Sequence, residues 1–284
     1  MHNPLSFGAW RPVILRQPPG ITDVAITFDD GPSPATTPKL LEILAAAGAR
    51  ATFFLSGVRV AAEPGLAAEI VAAGHDVFGH GWEHENYWHA DPALAVEAMR
   101  RVEDRLARLR PTPSPYLIRL PFNAGFNRSR MHRAMAGFHP EACFAWFSHN
   151  LRDYLLADGC SSAEELVRRC HAVATEIRAD PGLPGAILLL HEAPFDAQGA
   201  FSSQVSATML PMILEALQAR GLAAGPIHPP ARQPWRNRFL YFGRGHGRGA
   251  WAPSMTQGAP ARPHPGSRII RSLMSRSGRS PAAT

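Results

Sequence analysis

The chain has 284 residues, 45% of them hydrophobic and 18% charged, enough apolar material for one large core. No run reaches the ~18 to 20 apolar residues of a membrane-spanning helix, and Met1 to Ala25 lacks the basic head and apolar centre of a secretory signal, so the expected compartment is the cytoplasm. The net charge of +6 is uneven: residues 232–284 hold ten arginines and no acid, which leaves 19 basic against 23 acidic residues before them and a body of −4, so a domain-wide basic face for nucleic acid is not expected.

Between Asp23 and His228 short β-rich runs alternate with helical ones, the pattern of an α/β domain with parallel strands and crossover helices. The first strand, Asp23 to Phe28, ends at Asp29-Asp30-Gly31-Pro32. A helix over Thr37 to Ala47 follows, with Pro38 in its first turn and Gly48 at its stop. Then come a strand (Ala51 to Leu55), a helix (Pro64 to Ala73), a strand (Asp76 to Gly79) and a long helix, Asp91 to Leu109. Asp91 is placed to cap that helix, and Leu94, Met99, Val102, Leu106 and Leu109 form its predicted apolar face. Strands over Tyr116 to Leu120, Ala142 to Phe147 and Ala186 to Leu190 and helices over Ser162 to Arg178 and Ala207 to Arg220 complete the body. The boundaries expected are an extension over 1–22, a catalytic domain over 23–228 and a basic, disordered tail over 229–284, rich in Arg, Gly, Pro and Ser. Cys143, Cys160 and Cys170 have no CxxC spacing, which argues against disulfides or a thiolate zinc site and leaves packing as their role.

Polar residues gather where the strands end: Asp29 and Asp30, His80, Arg119 with Pro121, Asp153, and His191. Sites in barrels and open α/β sheets form at these carboxyl ends, because the loops there converge on one mouth. His80 and His84 stand four apart, which on a helical turn puts both imidazoles on one face, within reach of one cation; a solvated or core pair has the same spacing. Asp29-Asp30 at the end of an apolar strand is costly to gather unless a cation or an arginine offsets the repulsion, although a turn acid pair also fits. Arg119 sits in the apolar run Ile118 to Phe122 and needs a carboxylate, with Asp153 and Asp29 as candidates. His191 follows the buried-strand run Ile187 to Leu190, so its ring belongs at the mouth or in the core.

Taken in order, these five places resemble the polysaccharide deacetylases that share the NodB-homology domain. Thr27-Phe28-Asp29-Asp30-Gly31-Pro32 resembles their first motif, His80 to His84 the second, Arg119-Leu120-Pro121-Phe122 the third, Asp153-Tyr154 the fourth and Leu189-Leu190-His191 the fifth, over about residues 20–228. The resemblance implies a distorted (β/α) barrel of about seven parallel strands and a metal-dependent hydrolysis of an N-acetyl group on an amino sugar. It implies Asp30, His80 and His84 as metal ligands, Asp29 as general base and His191 as general acid. Arg119 would orient Asp29, Asp153 would support His191, and Pro121, Phe122, Tyr154 and Leu189 would line the substrate pocket, with a backbone N–H near Phe122 at the oxyanion. The sequence departs from the motifs at Gly81 (usually Ser or Thr, implying a looser metal loop), at Asn123 (usually Gly) and at Tyr154 (usually Trp).

Zn²⁺ is the expected ion, with Co²⁺, Ni²⁺ or Fe²⁺ also suited to two His and one carboxylate. A non-haem metal oxygenase uses the same ligand set, and a carbohydrate-binding protein with a decayed catalytic set is a third reading. The expected partner is an N-acetylated glycan, such as a chito-oligosaccharide, a peptidoglycan fragment or a lipid-linked amino sugar. In the tail, Ser267 to Ser277 could form a basic amphipathic helix at an anionic membrane surface, although a solvated arginine-rich tail is the simpler expectation.

Overall fold

The structure, a computed structural model, describes residues 11–229 apart from 196 and 198. All six strands expected from the sequence form, and all pairings among the described residues are parallel. The largest sheet has the order β4 (Asp76–Gly79), β3 (Thr52–Leu55), β2 (Val24–Asp29), β8 (Ile187–His191), β7 (His149–Asn150), with β9 (Ala224–Gly225) pairing the start of β2. A second sheet has the order β1 (Val13–Ile14), β6 (Ala142–Ala145), β5 (Tyr116–Ile118). The strands from β2 to β8 therefore follow one another in chain order around a (β/α) barrel, with β1 added on the far edge of β6, and the pairing is broken at two seams, between β4 and β5 and between β1 and β7. At the first seam Tyr116 Oη accepts the backbone N–H of Gly79 at 3.1 Å, so a side chain replaces the missing ladder.

Period-two alternation sorts each strand between two cores. Val24, Ile26 and Phe28 of β2 and Leu188 and Leu190 of β8 face outward, toward α1 (Thr37–Ala46), α7 (Ala163–Ala179) and α8 (Val205–Gln218). Ala25 of β2 and Ile187 and Leu189 of β8 belong to the inner cluster with Phe54, Phe78, Tyr116, Ile118 and Phe144. Asp29 continues the inward row of Ala25 and Thr27, and His191 continues that of Ile187 and Leu189. Both reach the barrel mouth at the same level.

The long helix α4 (Pro92–Leu106) is capped as expected, with the Asp91 side chain accepting from Ala93 N at 2.9 Å. Its buried face differs from the predicted one. Leu94 is 60% exposed, while Ala95, Val96, Met99, Val102 and Leu106 turn inward, and Leu109 packs beyond the helix end. Small residues, Ala95 and Ala98, let the helix lie close to the sheet, a contact that a pattern built on large apolar residues misses.

Apart from α5 (Ser129–Phe138), elements absent from the sequence reading are short or paired across long separations. They include β1, β7, β9, α2 (Gly57–Ala62) and α6 (Asp153–Leu156). Part of the stretch before Asp23 thus joins the fold: β1 pairs β6 and Gln17 Nε2 donates to Pro226 O at 2.8 Å. No helix among the described residues is long and apolar enough to cross a membrane. The arginine-rich tail and its Ser267 to Ser277 segment lie outside the described residues.

Candidate active site

Asp29 and His191 are direct neighbours in the β2–β8 register, so two strand ends deliver a carboxylate and an imidazole to one place. After Asp29 the chain turns sharply. Asp30 has φ 76° and sends its carboxylate toward the loop after β4. There His80 Nε2 lies 3.5 Å and His84 Nε2 3.3 Å from the same oxygen, Asp30 Oδ1, and one ligand atom from each of the three residues falls within 4.8 Å of the others. His80 Nδ1 is 2.8 Å from the carbonyl oxygen of Arg119, which can only accept, so the proton sits on Nδ1 and Nε2 presents a lone pair to Asp30. Asp30 Oδ1 is buried and has no hydrogen-bond partner among the described residues. A buried anionic oxygen facing two imidazole nitrogens is the donor set a divalent cation satisfies, and the residues fit such an ion.

The two imidazoles do not converge through a helical turn. Gly81 (φ 77°) and His84 (φ 59°) are both left-handed, and the segment between them is irregular. Backbone bonds hold it: Gly57 N donates to Gly81 O and Val58 N to Trp82 O, each at 3.0 Å. The glycine at 81 therefore suits a loop that needs a positive φ there, and backbone bonds anchor the loop that was expected to be looser for want of a hydroxyl at 81.

Arg119 is 1% exposed and fully engaged. Its Nη1 donates to Asp29 Oδ1 at 2.8 Å and to Thr27 Oγ1 at 2.7 Å, and Nε and Nη2 donate to the carbonyls of Ala145 and Trp146, each at 3.0 Å. Of the two carboxylates open to it, Arg119 takes Asp29. Asp153, at the first turn of α6, pairs with His191 instead, with Oδ1 2.8 Å from Nδ1 and Oδ2 2.6 Å from the His191 backbone N. Burial pushes Asp29 up, but Arg119 together with His80 and His191 outweighs it and holds the carboxyl below its ordinary value. Asp30 goes the other way, raised mainly by burial. Burial disfavours the charged His191 ring, yet Asp153, with Asp30 and Asp29 behind it, raises its pKa to about 9. His84 is lowered to about 3 by burial and by the neighbouring His80.

The expected pocket residues surround this group. The short turn Pro121–Asn123 puts both Phe122 (φ 56°) and Asn123 (φ 52°) in the left-handed region. Asparagine tolerates that conformation better than most residues, which accounts for its standing in a glycine's place. The Phe122 ring lies 4.7 Å from His84, and Tyr154 meets the His191 ring edge-on at 5.4 Å. Leu189 is buried on β8, opposite Thr27.

Several participants had no role assigned to them from the sequence. Thr27 Oγ1 accepts from Arg119 and donates to Leu188 O. Ser206, on α8, donates to Asp153 Oδ2 at 3.2 Å. Trp88 Nε1 donates to Phe122 O at 3.1 Å. Phe195 stands against His84, and Arg59 against Phe195. Glu192 is 1% exposed, accepts from the Thr37 hydroxyl, and lies so close under Gly31 that a Cβ there would come within 1.8 Å of its Oε1. Burial pushes its pKa to about 7. The pair Asp29-Gly31 was legible as a motif; the carboxylate that requires glycine at 31 was not.

Comparison with known proteins finds deacetylases in sequence and in fold. The sequence profile of the family described as Polysaccharide deacetylase matches residues 16–139. The Chitooligosaccharide deacetylase of Bradyrhizobium sp. (strain ANU 289) is 30% identical over 213 residues, covering 73% of this chain and 90% of that protein. The Chitooligosaccharide deacetylase of Sinorhizobium fredii (strain NBRC 101917 / NGR234) is 32% identical over 220 residues, covering 73% of this chain and 91% of that protein. Among solved structures, the Bc1960 peptidoglycan N-acetylglucosamine deacetylase superposes with a TM-score of 0.62 at 22% identity, over 80% of this chain and 95% of that one.

Proposed function

The chain belongs to the polysaccharide deacetylase family, and from that membership we propose that it removes an N-acetyl group from a glucosamine unit of an oligosaccharide, with acetate and a free amine as products. It is a carbohydrate deacetylase, a hydrolase that depends on a divalent metal. The finer reading concerns the ion, the substrate and the role of each residue. We take the ion to be zinc, since two imidazoles and one carboxylate leave a position open for chemistry. We take the substrate to be a soluble chito-oligosaccharide.

Asp30, His80 and His84 would hold a divalent ion, which would supply Lewis acidity toward the acyl carbonyl and lower the pKa of a water from 15.7 toward ~7. Asp29 receives the proton of the attacking water on Oδ2, because Oδ1 is committed to Arg119. Its lowered pKa keeps it ionised and ready at neutral pH. The amide nitrogen cannot leave as an anion. His191 gives it a proton from Nε2, the nitrogen not tied to Asp153, and the raised pKa keeps that proton in place until it is needed. Base and acid are adjacent in register across β2 and β8, yet their environments push their pKa values apart, which is how one site carries both roles. Arg119 and Asp153 act through Asp29 and His191 as positioning residues, while Pro121, Phe122, Tyr154 and Leu189 shape the sugar and acetyl pocket.

The observation that carries this reading is the single buried oxygen, Asp30 Oδ1, facing both Nε2 atoms beside the Asp29–His191 pair. Acetate release from N-acetylglucosamine oligomers, measured after chelation and again with Zn²⁺ or Co²⁺ restored, tests it. Loss on chelation and recovery with metal is the expected result; acetate release unaffected by chelation, or none with any metal or oligomer, contradicts it.

A further inference from the structure

Resting on the cation site just described, we propose that Arg59 and Phe195 are positioning residues, a strut that fixes the ring plane of His84 and the backbone of Asp30 and thereby sets the affinity and geometry of that site. Neither lies in a motif. The two imidazoles are held differently: His80 is fixed by its second nitrogen on Arg119 O, whereas Nδ1 of His84 has no hydrogen-bond partner among the described residues. A ligating histidine is ordinarily oriented by a bond from its other nitrogen. For His84 that task passes to ring contacts. The Phe195 ring lies nearly parallel to it, 4.9 Å away at 13°, and Phe122 closes on it at 4.7 Å and 56°.

Phe195 is itself 36% exposed on the loop after β8, so something must hold it. The Arg59 guanidinium lies 3.9 Å from its ring centre, a cation–π contact. From there Arg59 Nη1 donates to Asp30 O at 2.9 Å and also to Ala193 O. One side chain thus ties the left-handed Asp30 to the β8 loop and, through Phe195, to His84. The backbone around it makes the same connection: Ser56 N donates to Gly31 O at 2.9 Å and Gly57 N to Gly81 O at 3.0 Å, so the start of α2 touches the loops that carry all three ligands. The planar guanidinium can lie flat on a ring while pointing one nitrogen at two carbonyls. A lysine keeps the charge and loses that geometry.

The test uses the full chain with Co²⁺, whose visible bands report coordination geometry, and a competing chelator to measure affinity. Phe195→Leu and Arg59→Lys are each expected to weaken Co²⁺ binding about 10- to 100-fold and to change the visible spectrum, and the double variant to lose less than the product of the single losses, because both act through His84. Should Arg59→Lys fail to fold, Phe195→Leu at its partly exposed position decides the matter. A folded Phe195→Leu protein with wild-type affinity and spectrum overturns the strut and leaves the cation site standing. A wild-type chain that takes up no Co²⁺ overturns both.

Discussion

Asp153 holds His191 at two points, one carboxylate oxygen on the ring Nδ1 at 2.8 Å and the other on the backbone N–H at 2.6 Å. The backbone bond fixes where the residue sits, and the ring bond fixes both the tautomer and the charge. Asp153 is 1% exposed and is steadied in turn by Ser206, so it cannot follow the ring elsewhere.

The pH profile reads this pair directly. His191 is raised to about 9, so an acid that must be protonated works below that value and is lost as pH rises through it. A cation neutralising Asp30 removes one of the minor contributions and leaves that of Asp153, so the basic limb of kcat/KM is expected between 6.5 and about 9. Asp153→Asn, which keeps the size and removes the charge, is expected to move that limb down by at least a unit. A basic limb unmoved in Asp153→Asn contradicts the assignment.

Arg119 and Asp29 form a buried ion pair at 2.8 Å. Replacing one member of such a pair costs ~3 to 5 kcal/mol, because the other charge is left buried alone. Arg119→Ala is therefore expected to lower unfolding free energy by about that amount, measured by urea denaturation. Asp29→Asn keeps a hydrogen-bond acceptor for Arg119 but removes its buried counter-charge, so it is also expected to lose stability, by less than Arg119→Ala does, and to lose kcat ~10²- to 10⁴-fold when assayed below its melting transition. Near-normal turnover in Asp29→Asn contradicts its role as base.

Stability and chemistry separate at Glu103. This acid accepts from Arg110, Thr112 and Tyr116 at 2.8 to 2.9 Å and ties α4 to the open β4–β5 seam, without bonding to any residue of the metal and acid–base set. Glu103→Ala is expected to destabilise the fold by ~3 kcal/mol with kcat unchanged below the melting transition. A selective loss of kcat in a folded Glu103→Ala protein contradicts the separation.

Glycine at 31 is required by Glu192. Gly31→Ala is expected to impair activity because the new methyl group meets the buried carboxylate. Combining it with Glu192→Asp, which withdraws that carboxylate by one methylene, is expected to restore part of the loss. Equal activity in Gly31→Ala and wild type contradicts the contact.

The legibility of the site follows from where its parts lie. Asp29, Asp30, His80, Arg119 and His191 stand at the ends of apolar runs, and the runs β2, β4, β5 and β8 were visible because they are buried on both faces. Their convergence follows from parallel strands in chain order. Arg59, Phe195 and Glu192 were illegible for the opposite reason. Each acts through tertiary contacts with partners dozens or more than a hundred residues away, and no periodicity records that. Strand β1 escaped notice likewise, since two residues pair with β6 across more than a hundred intervening positions. Leu94 marks the limit of pattern reading: a large apolar residue at helical spacing that faces solvent.

Metal stoichiometry in four chains tests the central claim most directly: wild type, His80→Ala, His191→Ala and Asp29→Asn, each stripped with chelator, reloaded with Zn²⁺ and assayed for bound ion. One tight equivalent is expected in wild type, in His191→Ala and in Asp29→Asn, with turnover lost in both variants, and none in His80→Ala. A His80→Ala protein that still holds a stoichiometric ion contradicts the account.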